Sequence, residues 1–369
     1  MTDLFSPLDL AGIALRNRIG VAPMCQYSAA NDGRPTQWHL AHLMHLALGG
    51  AALVIVEATA VTPEGRISPG DLGLWDDSLI EPHAKLAAAI SAAGAVPGIQ
   101  LGHAGRKASR NAPWLGGPAE PSWEVIGPSA VAFGDFATPK AMSDADIADT
   151  LKAFADAAIR AVKAGYRFIE LHGAHGYLIH QFLSPLSNTR NDAWGGDFAG
   201  RSRFAREAVA AVKAVLPAGV ALGIRFSHTD WVPGGWTTEE TVQLCADLKP
   251  SVDLFDISSG GLHHEQKIVL GPGYQVPGAK AVREGTGALT TAVGLITEAE
   301  QAQAIIAEGS ADMVLMARAL LRDPFWPIRA AQSLGKSGAV PVPPQYERGW
   351  HGANKPPMEL AVGEPMPAL

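Results

Sequence analysis

Two cysteines, Cys25 and Cys245, among 369 residues leave no disulfide framework and no set of iron–sulfur ligands. No uncharged apolar stretch is long enough to span a bilayer. The opening Met1-Thr2-Asp3-Leu4-Phe5 lacks the basic-then-apolar order of a secretory signal. There is no run of Lys or Arg, and the formal net charge of −7 opposes a nucleic-acid surface. Nor does a G-x-G-x-x-G fingerprint follow the first candidate strand, which weighs against an open dinucleotide-binding sheet. These absences lead to the expectation of a cytoplasmic protein that handles small molecules, with no nucleic-acid or membrane partner.

What is present is alternation. Short β-branched runs lie at Ile19–Met24, Leu53–Ala58, Val96–Gly102, Phe168–His172, Val220–Phe226, Leu254–Ser258, Leu289–Val293 and Met313–Ala317. Amphipathic stretches such as Asp144–Ala164, Arg201–Val215, Thr238–Leu248 and Thr297–Glu308 separate them. Eight strands, most followed by a helix, predict an α/β fold of the (β/α)8 TIM-barrel type, formed by residues 1–369 as one domain. Residues 108–142, rich in Pro, Gly and Trp, read as an elaborated loop after the third strand. The proline-bearing tail, 341–369, is expected to be extended and docked, on this subunit or another.

Polar residues gather where these strands end, the face on which barrel enzymes keep their sites. The first strand runs out through Ala22-Pro23-Met24-Cys25-Gln26-Tyr27, the second at Ala58, the third at Gln100 and His103, and the fifth at Arg225. Gly294 follows the seventh and Ala317-Arg318 the eighth. Loops after strands seven and eight commonly hold phosphate, and a guanidinium fork suits it; an ordinary surface arginine is the plainer reading. Cys25 is either a small core hydrophobe or a cofactor contact. An arginine ending an apolar strand is costly unless paired or facing an anion. With the Gln100 amide, it suits a flat heterocycle with a carbonyl edge.

The segment Glu170-Leu171-His172-Gly173-Ala174-His175-Gly176-Tyr177 is the richest in chemistry. A continuing strand would send His172 and His175 to opposite faces. A turn at Gly173-Ala174 brings its ends within ~7 Å and lets both rings converge, with Tyr177 as a nearby proton donor. Three readings stand: a His2Glu metal site completed by Glu170, as in a metal-dependent barrel lyase or hydrolase; a neutral donor pair polarising a carbonyl or nitro oxygen; or histidines satisfied within the structure.

Taken together, the motifs resemble the Old Yellow Enzyme family of flavin-dependent ene-reductases, in particular its thermophilic-like, xenobiotic-reductase branch. The resemblance rests on Leu15-Arg16-Asn17-Arg18-Ile19, Ala22–Tyr27, Val56–Val61, His103-Ala104-Gly105-Arg106-Lys107-Ala108 and His172–Tyr177. It continues through Leu183–Asn188, Arg190-Asn191-Asp192, Trp194-Gly195-Gly196 and Tyr346–Trp350. It implies FMN at the barrel mouth, lined by Ala22, Pro23, Met24 and Cys25, with Ala58 and Gln100 on the pyrimidine side. Arg225 would face the N1/O2 edge, and Gly294, Ala317 and Arg318 the phosphate. Cys25 would tune the flavin potential. NADPH, or NADH, would be the reductant, and enones, maleimides or nitroalkenes the acceptors. His172 and His175 would grip the acceptor's oxygen, Tyr177 would protonate its α-carbon, and Tyr27 would be a second substrate contact. The resemblance further implies a homodimer or dimer of dimers, in which Arg348 and Trp350 reach a neighbour's site.

Overall fold

The computed structural model describes residues 2–350. Eight parallel strands close into a barrel in sequential order. They are β1 (Ile19–Val21), β2 (Leu53–Ala60), β3 (Val96–Gly102), β4 (Phe168–Gly173), β5 (Ala221–Ser227), β6 (Leu254–Ser258), β7 (Thr290–Ala292) and β8 (Met313–Met316). The barrel helices are α1 (Gln37–Leu48), α2 (Ile80–Ala92), α3 (Asp144–Lys163), α4 (Phe198–Lys213), α5 (Thr238–Leu248), α6 (Val276–Thr286), α7 (Ala299–Ala307) and α8 (Trp326–Ser333). The expected barrel is therefore the observed one. Strand β1 stops short of its expected end because Pro23 cannot extend a ladder, and residues 22–28 run on without regular structure.

Local chemistry sets the helix starts. Ser143 accepts from the Asp146 amide while Asp146 reaches back to Ser143, a reciprocal cap. Thr237 and Glu240 do the same for α5. The outward strand faces pack under the helices through Val54, Val56, Ile169, Leu171 and Ile224.

The inward faces divide along the barrel axis. At the N-terminal end, Leu53, Ile55, Phe168, Leu254, Met313 and Leu315 form an apolar plug with Leu8, Leu10, Ile13 and Leu15. The last four come from an antiparallel hairpin, Leu8–Leu10 with Ile13–Leu15, that the strand pattern did not reveal. Phe168 fits inside because β5 offers Gly223; a Cβ there would lie 2.4 Å from the ring. Toward the C-terminal end, β3, β4, β5 and β6 present Gln100, Glu170, Arg225 and Asp256, all buried.

The loop after β3 carries only short elements, among them a two-residue strand pair at Ile126–Gly127 and Lys140–Ala141. The tail departs from the extended form expected of it. Residues Pro344–Tyr346 make a 3-10 turn and Glu347–Trp350 a helical turn. The rest of that expected tail, 351–369, lies outside the described residues.

Candidate active site

Beneath the C-terminal mouth is a polar layer. Gln100 Nε2 donates to Glu170 Oε2 at 2.7 Å. Arg225 Nε lies 2.8 Å from Asp256 Oδ2, off the N–H line and so an ion pair rather than a directed hydrogen bond. Thr291 Oγ1 donates to Asp256 Oδ1 at 2.6 Å. Two carboxyls here face one guanidinium. Asp256 takes it, and burial together with the Asp256 charge pushes Glu170 up to about 8. Glu170 is thus protonated at neutral pH, and its Oε1 has no hydrogen-bond partner among the described residues.

Above this layer the fourth strand runs on through Gly173, and the turn falls two residues later than the expected Gly173-Ala174: Tyr177 N–H donates to the Ala174 carbonyl at 3.1 Å across His175 and Gly176. His175 and Gly176 both take left-handed backbone, φ 57° and 74°, conformations that cost a non-glycine residue energy. At Gly176 a Cβ would stand 2.3 Å from the Gly261 carbonyl oxygen, so only glycine passes. The turn is held from outside. Gly176 N–H donates to His180 Nδ1 at 3.0 Å, and His180 Nε2 lies 2.8 Å from Asp230 Oδ1. Lys107 Nζ donates to the carbonyls of His175 and Gly261, both at 2.9 Å.

The result is convergence of three rings. His172 and His175 have centroids 5.2 Å apart at 88°, and His172 and Tyr177 4.8 Å apart at 72°. Burial, then Arg225, holds both histidines well below their ordinary pKa, so both are neutral. They are not equivalent. His172 Nδ1 accepts from the Ala174 amide at 3.3 Å, which leaves the proton on Nε2. His175 Nε2 sits 2.7 Å from Ser258 Oγ, which is also 3.1 Å from Gln275 Oε1. Ser259 separately donates to that same Gln275 oxygen at 2.7 Å. Burial raises the Tyr177 phenol well above its usual value, so it keeps its proton.

The metal reading fails on placement. Glu170 is turned to Gln100, and no three His, Cys, Asp or Glu residues among the described ones are grouped to hold an ion.

On the facing wall, Cys25 and Tyr27 lie in the irregular segment after β1, half-buried, with Tyr27 at φ 50°. Burial, then Asp71 and Glu57, pushes the Cys25 thiol well up, so it is no thiolate at neutral pH. Glu57 accepts from the Gln26 amide at 2.7 Å and lies 3.1 Å from His39 Nε2, fixing the segment from behind.

After β7 and β8 opens a cavity of about 150 Å³ lined by Gly294, Ala317, Arg318, Arg322, Tyr274 and Thr297, among others, with no acidic side chain. Arg318 is exposed and has no carboxylate partner among the described residues. The cavity brings together Gly294, Ala317 and Arg318, the residues expected to face a phosphate, and adds Arg322 and Tyr274, which sequence reasoning missed. The same reasoning also missed Lys107, Ser258, His180 and Asp230. Lys107 and His180 stood within or beside motifs it noted, but only the fold shows what they hold.

Trp350 is not at this chain's own mouth. Its ring lies 6.2 Å from Phe325 and 5.7 Å from the Arg329 guanidinium, against the outside of α8, and Arg348 is exposed.

A closed parallel barrel with an arginine-lined, acid-free cavity after its last two strands and a buried amide–carboxyl–guanidinium layer under its mouth suits an enzyme that holds a phosphorylated, planar cofactor. Comparison with known proteins agrees. Residues 3–337 match the model of the NADH:flavin oxidoreductase / NADH oxidase family. An "NADPH dehydrogenase" of Geobacillus sp. (strain WCH70) is 46% identical over 352 residues, 95% of this chain and 99% of that protein. One from Bacillus subtilis (strain 168) is 44% identical over 350 residues, 94% and 99%. Among solved structures, morphinone reductase superposes with a TM-score of 0.75 at 25% identity, covering 93% of this chain and 92% of that one. A 2-naphthoyl-CoA reductase in complex with 2-naphthoyl-CoA shares the fold at a TM-score of 0.82 and 24% identity, covering 95% and 58%. The chain belongs to the NADH:flavin oxidoreductase / NADH oxidase family, that of the Old Yellow Enzyme. It is an FMN-dependent NAD(P)H oxidoreductase whose curated relatives are named NADPH dehydrogenases.

Proposed function

We propose that this enzyme is an ene-reductase, moving reducing equivalents from NADPH or NADH to the C=C bond of enones, maleimides or nitroalkenes. The observation that carries the reading is the meeting of His172, His175 and Tyr177, two neutral imidazoles and a protonated phenol, above the polar layer. A protein that only carried flavin would have no use for that convergence.

The residues fit FMN. The acid-free cavity at Gly294, Ala317 and Arg318 suits its phosphate. Gln100 offers donor and acceptor to a pyrimidine edge, and Arg225 a positive charge where negative charge gathers on reduction. Ala22, Pro23, Met24, Cys25 and Ala58 would supply the walls, with the Cys25 thiol protonated and Tyr27 two residues on. When bound, FMN supplies the hydride chemistry.

The chain's own groups handle the acceptor. His172 Nε2–H donates to the carbonyl or nitro oxygen. His175 donates from Nδ1 once Ser258 turns its hydroxyl onto Nε2; Gln275 Oε1 keeps Ser259 as its donor. His172 stands ready where charge develops on the oxygen, and His175 joins it once the Ser258 hydroxyl has turned. Tyr177 O–H gives its proton to the α-carbon as a general acid. In this scheme the enzyme is a dimer or dimer of dimers, and a partner copy brings its own Arg348 and Trp350 to the mouth.

Anaerobic titration tests the reading. The yellow enzyme should bleach with NADPH, and a cyclic enone should restore its colour stoichiometrically. Bleaching without recovery by any of the three alkene classes would leave a flavin oxidoreductase that is no ene-reductase.

A further inference from the structure

Tyr177 is a wall shared by two spaces. On one side it joins His172 around a small void that reaches Ala58 and His103. On the other it borders a second cavity, about 250 Å³, lined by Tyr27, Lys107, Arg110, Asn111 and Phe136 as well. This vestibule has two cationic side chains and no acidic one. Neither cation is paired with a carboxylate among the described residues.

Arg110 is presented rather than loose. Its guanidinium lies 3.9 Å from the Phe136 ring centroid. A stacked guanidinium keeps its N–H edges free for a planar, two-oxygen partner. Its backbone is pinned: Arg110 N–H donates to the Ile67 carbonyl at 2.7 Å, Asn111 N–H to Gly117 at 3.1 Å, and Ala119 N–H to Ser109 at 2.9 Å. Asn111 Nδ2 closes the loop onto Gly116 at 3.0 Å. Lys107 lines the same cavity and lies close to the reacting groups, its Nζ 5.2 Å from the Tyr177 ring centroid. Two of its protons go to carbonyls and the ammonium also lies 4.5 Å from the Phe133 ring centroid, so what it brings to the cavity is its charge.

We propose that this vestibule is an anion subsite, with Arg110 as its fork and Lys107 as its second charge, that binds a carboxylate or phosphate attached to a molecule whose reacting end lies at His172 and Tyr177. The proposal rests on the ene-reductase reading for one source of that anion, an alkene bearing a carboxylate. The other source is the phosphate portion of the nicotinamide dinucleotide, which must approach through the same mouth. Nothing is transferred at the subsite; it binds and orients.

The test uses FMN-loaded enzyme with Arg110→Gln and Arg110→Lys. In the first arm, an alkene bearing a free carboxylate competes with its methyl ester, and the ratio of their kcat/KM values is read. In the second, NADPH is set against the uncharged hydride donor 1-benzyl-1,4-dihydronicotinamide, with the rate of flavin bleaching as readout. Arg110→Gln should lower at least one ratio about tenfold, the size expected for a charge-assisted hydrogen bond. Arg110→Lys should recover part of it, and added salt should shrink the wild-type preference. A change confined to the first arm assigns the anion to substrate; one confined to the second assigns it to the reductant. Two unchanged ratios overturn the proposal. If wild type reduces neither alkene, the ene-reductase reading fails on its own, and the bleaching ratio alone decides the subsite.

Discussion

Strand β4 sets Phe168 at one end of the barrel interior and Glu170 and His172 at the other, and their surroundings differ in kind. Phe168 meets Leu53, Leu254, Met313 and a glycine that makes room for it. Two residues on, Glu170 meets Gln100 and the Arg225–Asp256 pair. Because side chains alternate with period 2, one strand lays down both halves without changing conformation. The apolar end stabilises by removing surface from water. The polar end is costly to build, since each group there must find a partner. The difference shows where this fold invests stability in chemistry.

The contrast can be broken from the polar side first. Arg225→Leu strands Asp256 as a buried carboxyl without its cation, and unfolding by denaturant should show a loss of about 3–5 kcal/mol. FMN should be retained poorly. At the apolar end, Gly223→Ala drives a methyl to 2.4 Å from the Phe168 ring. The expected loss is smaller, ~1–3 kcal/mol, since the ring can shift at a cost; bound flavin should stay. If the two variants lost flavin equally, the division between halves would be wrong.

A finer effect concerns Ser258→Ala, which removes the hydroxyl partner of His175. It should weaken binding of a phenol to the oxidised enzyme by ~1 kcal/mol, the usual size for one hydrogen bond. Retention of wild-type affinity would show that His175 needs no such partner.

A further effect is in pH. Glu170 is held at about 8 in the fold against an ordinary 4.5. Its contribution to stability is full below pH about 4.5 and declines as pH rises through about 8, because the fold binds the proton more tightly than the unfolded chain. Glu170→Gln, neutral throughout, should flatten that part of the Tm–pH curve. An unchanged slope would mean that Glu170 is ionised.

How much of this the sequence disclosed follows from what each signal depends on. Buried parallel strands and amphipathic helices are written locally, so Val96–Gly102, Leu254–Ser258 and Thr238–Leu248 stand with the bounds the pattern gave them. The Leu8–Leu15 hairpin escaped because two three-residue strands are too short to show a period. His172, His175 and Tyr177 were legible because one short segment carries all three. Ser258, Asp230 and Lys107 were not, since their roles depend on His175, His180 and again His175, which lie far off in the chain, 83 residues for Ser258 and 68 for Lys107. The tail read as extended from its prolines, yet within its described part residues 344–350 coil into turns and lay Trp350 on Phe325.

The central claim is that the mouth above the polar layer completes alkene reduction through Tyr177. Stopped-flow measurement of both half-reactions in Tyr177→Phe addresses it most directly. Flavin bleaching by NADPH should proceed at close to the wild-type rate, while reoxidation by a weakly activated enone slows by ~10²-fold or more, as expected when a general acid is removed. Unimpaired reoxidation, or a collapse of the bleaching step instead, would contradict the account.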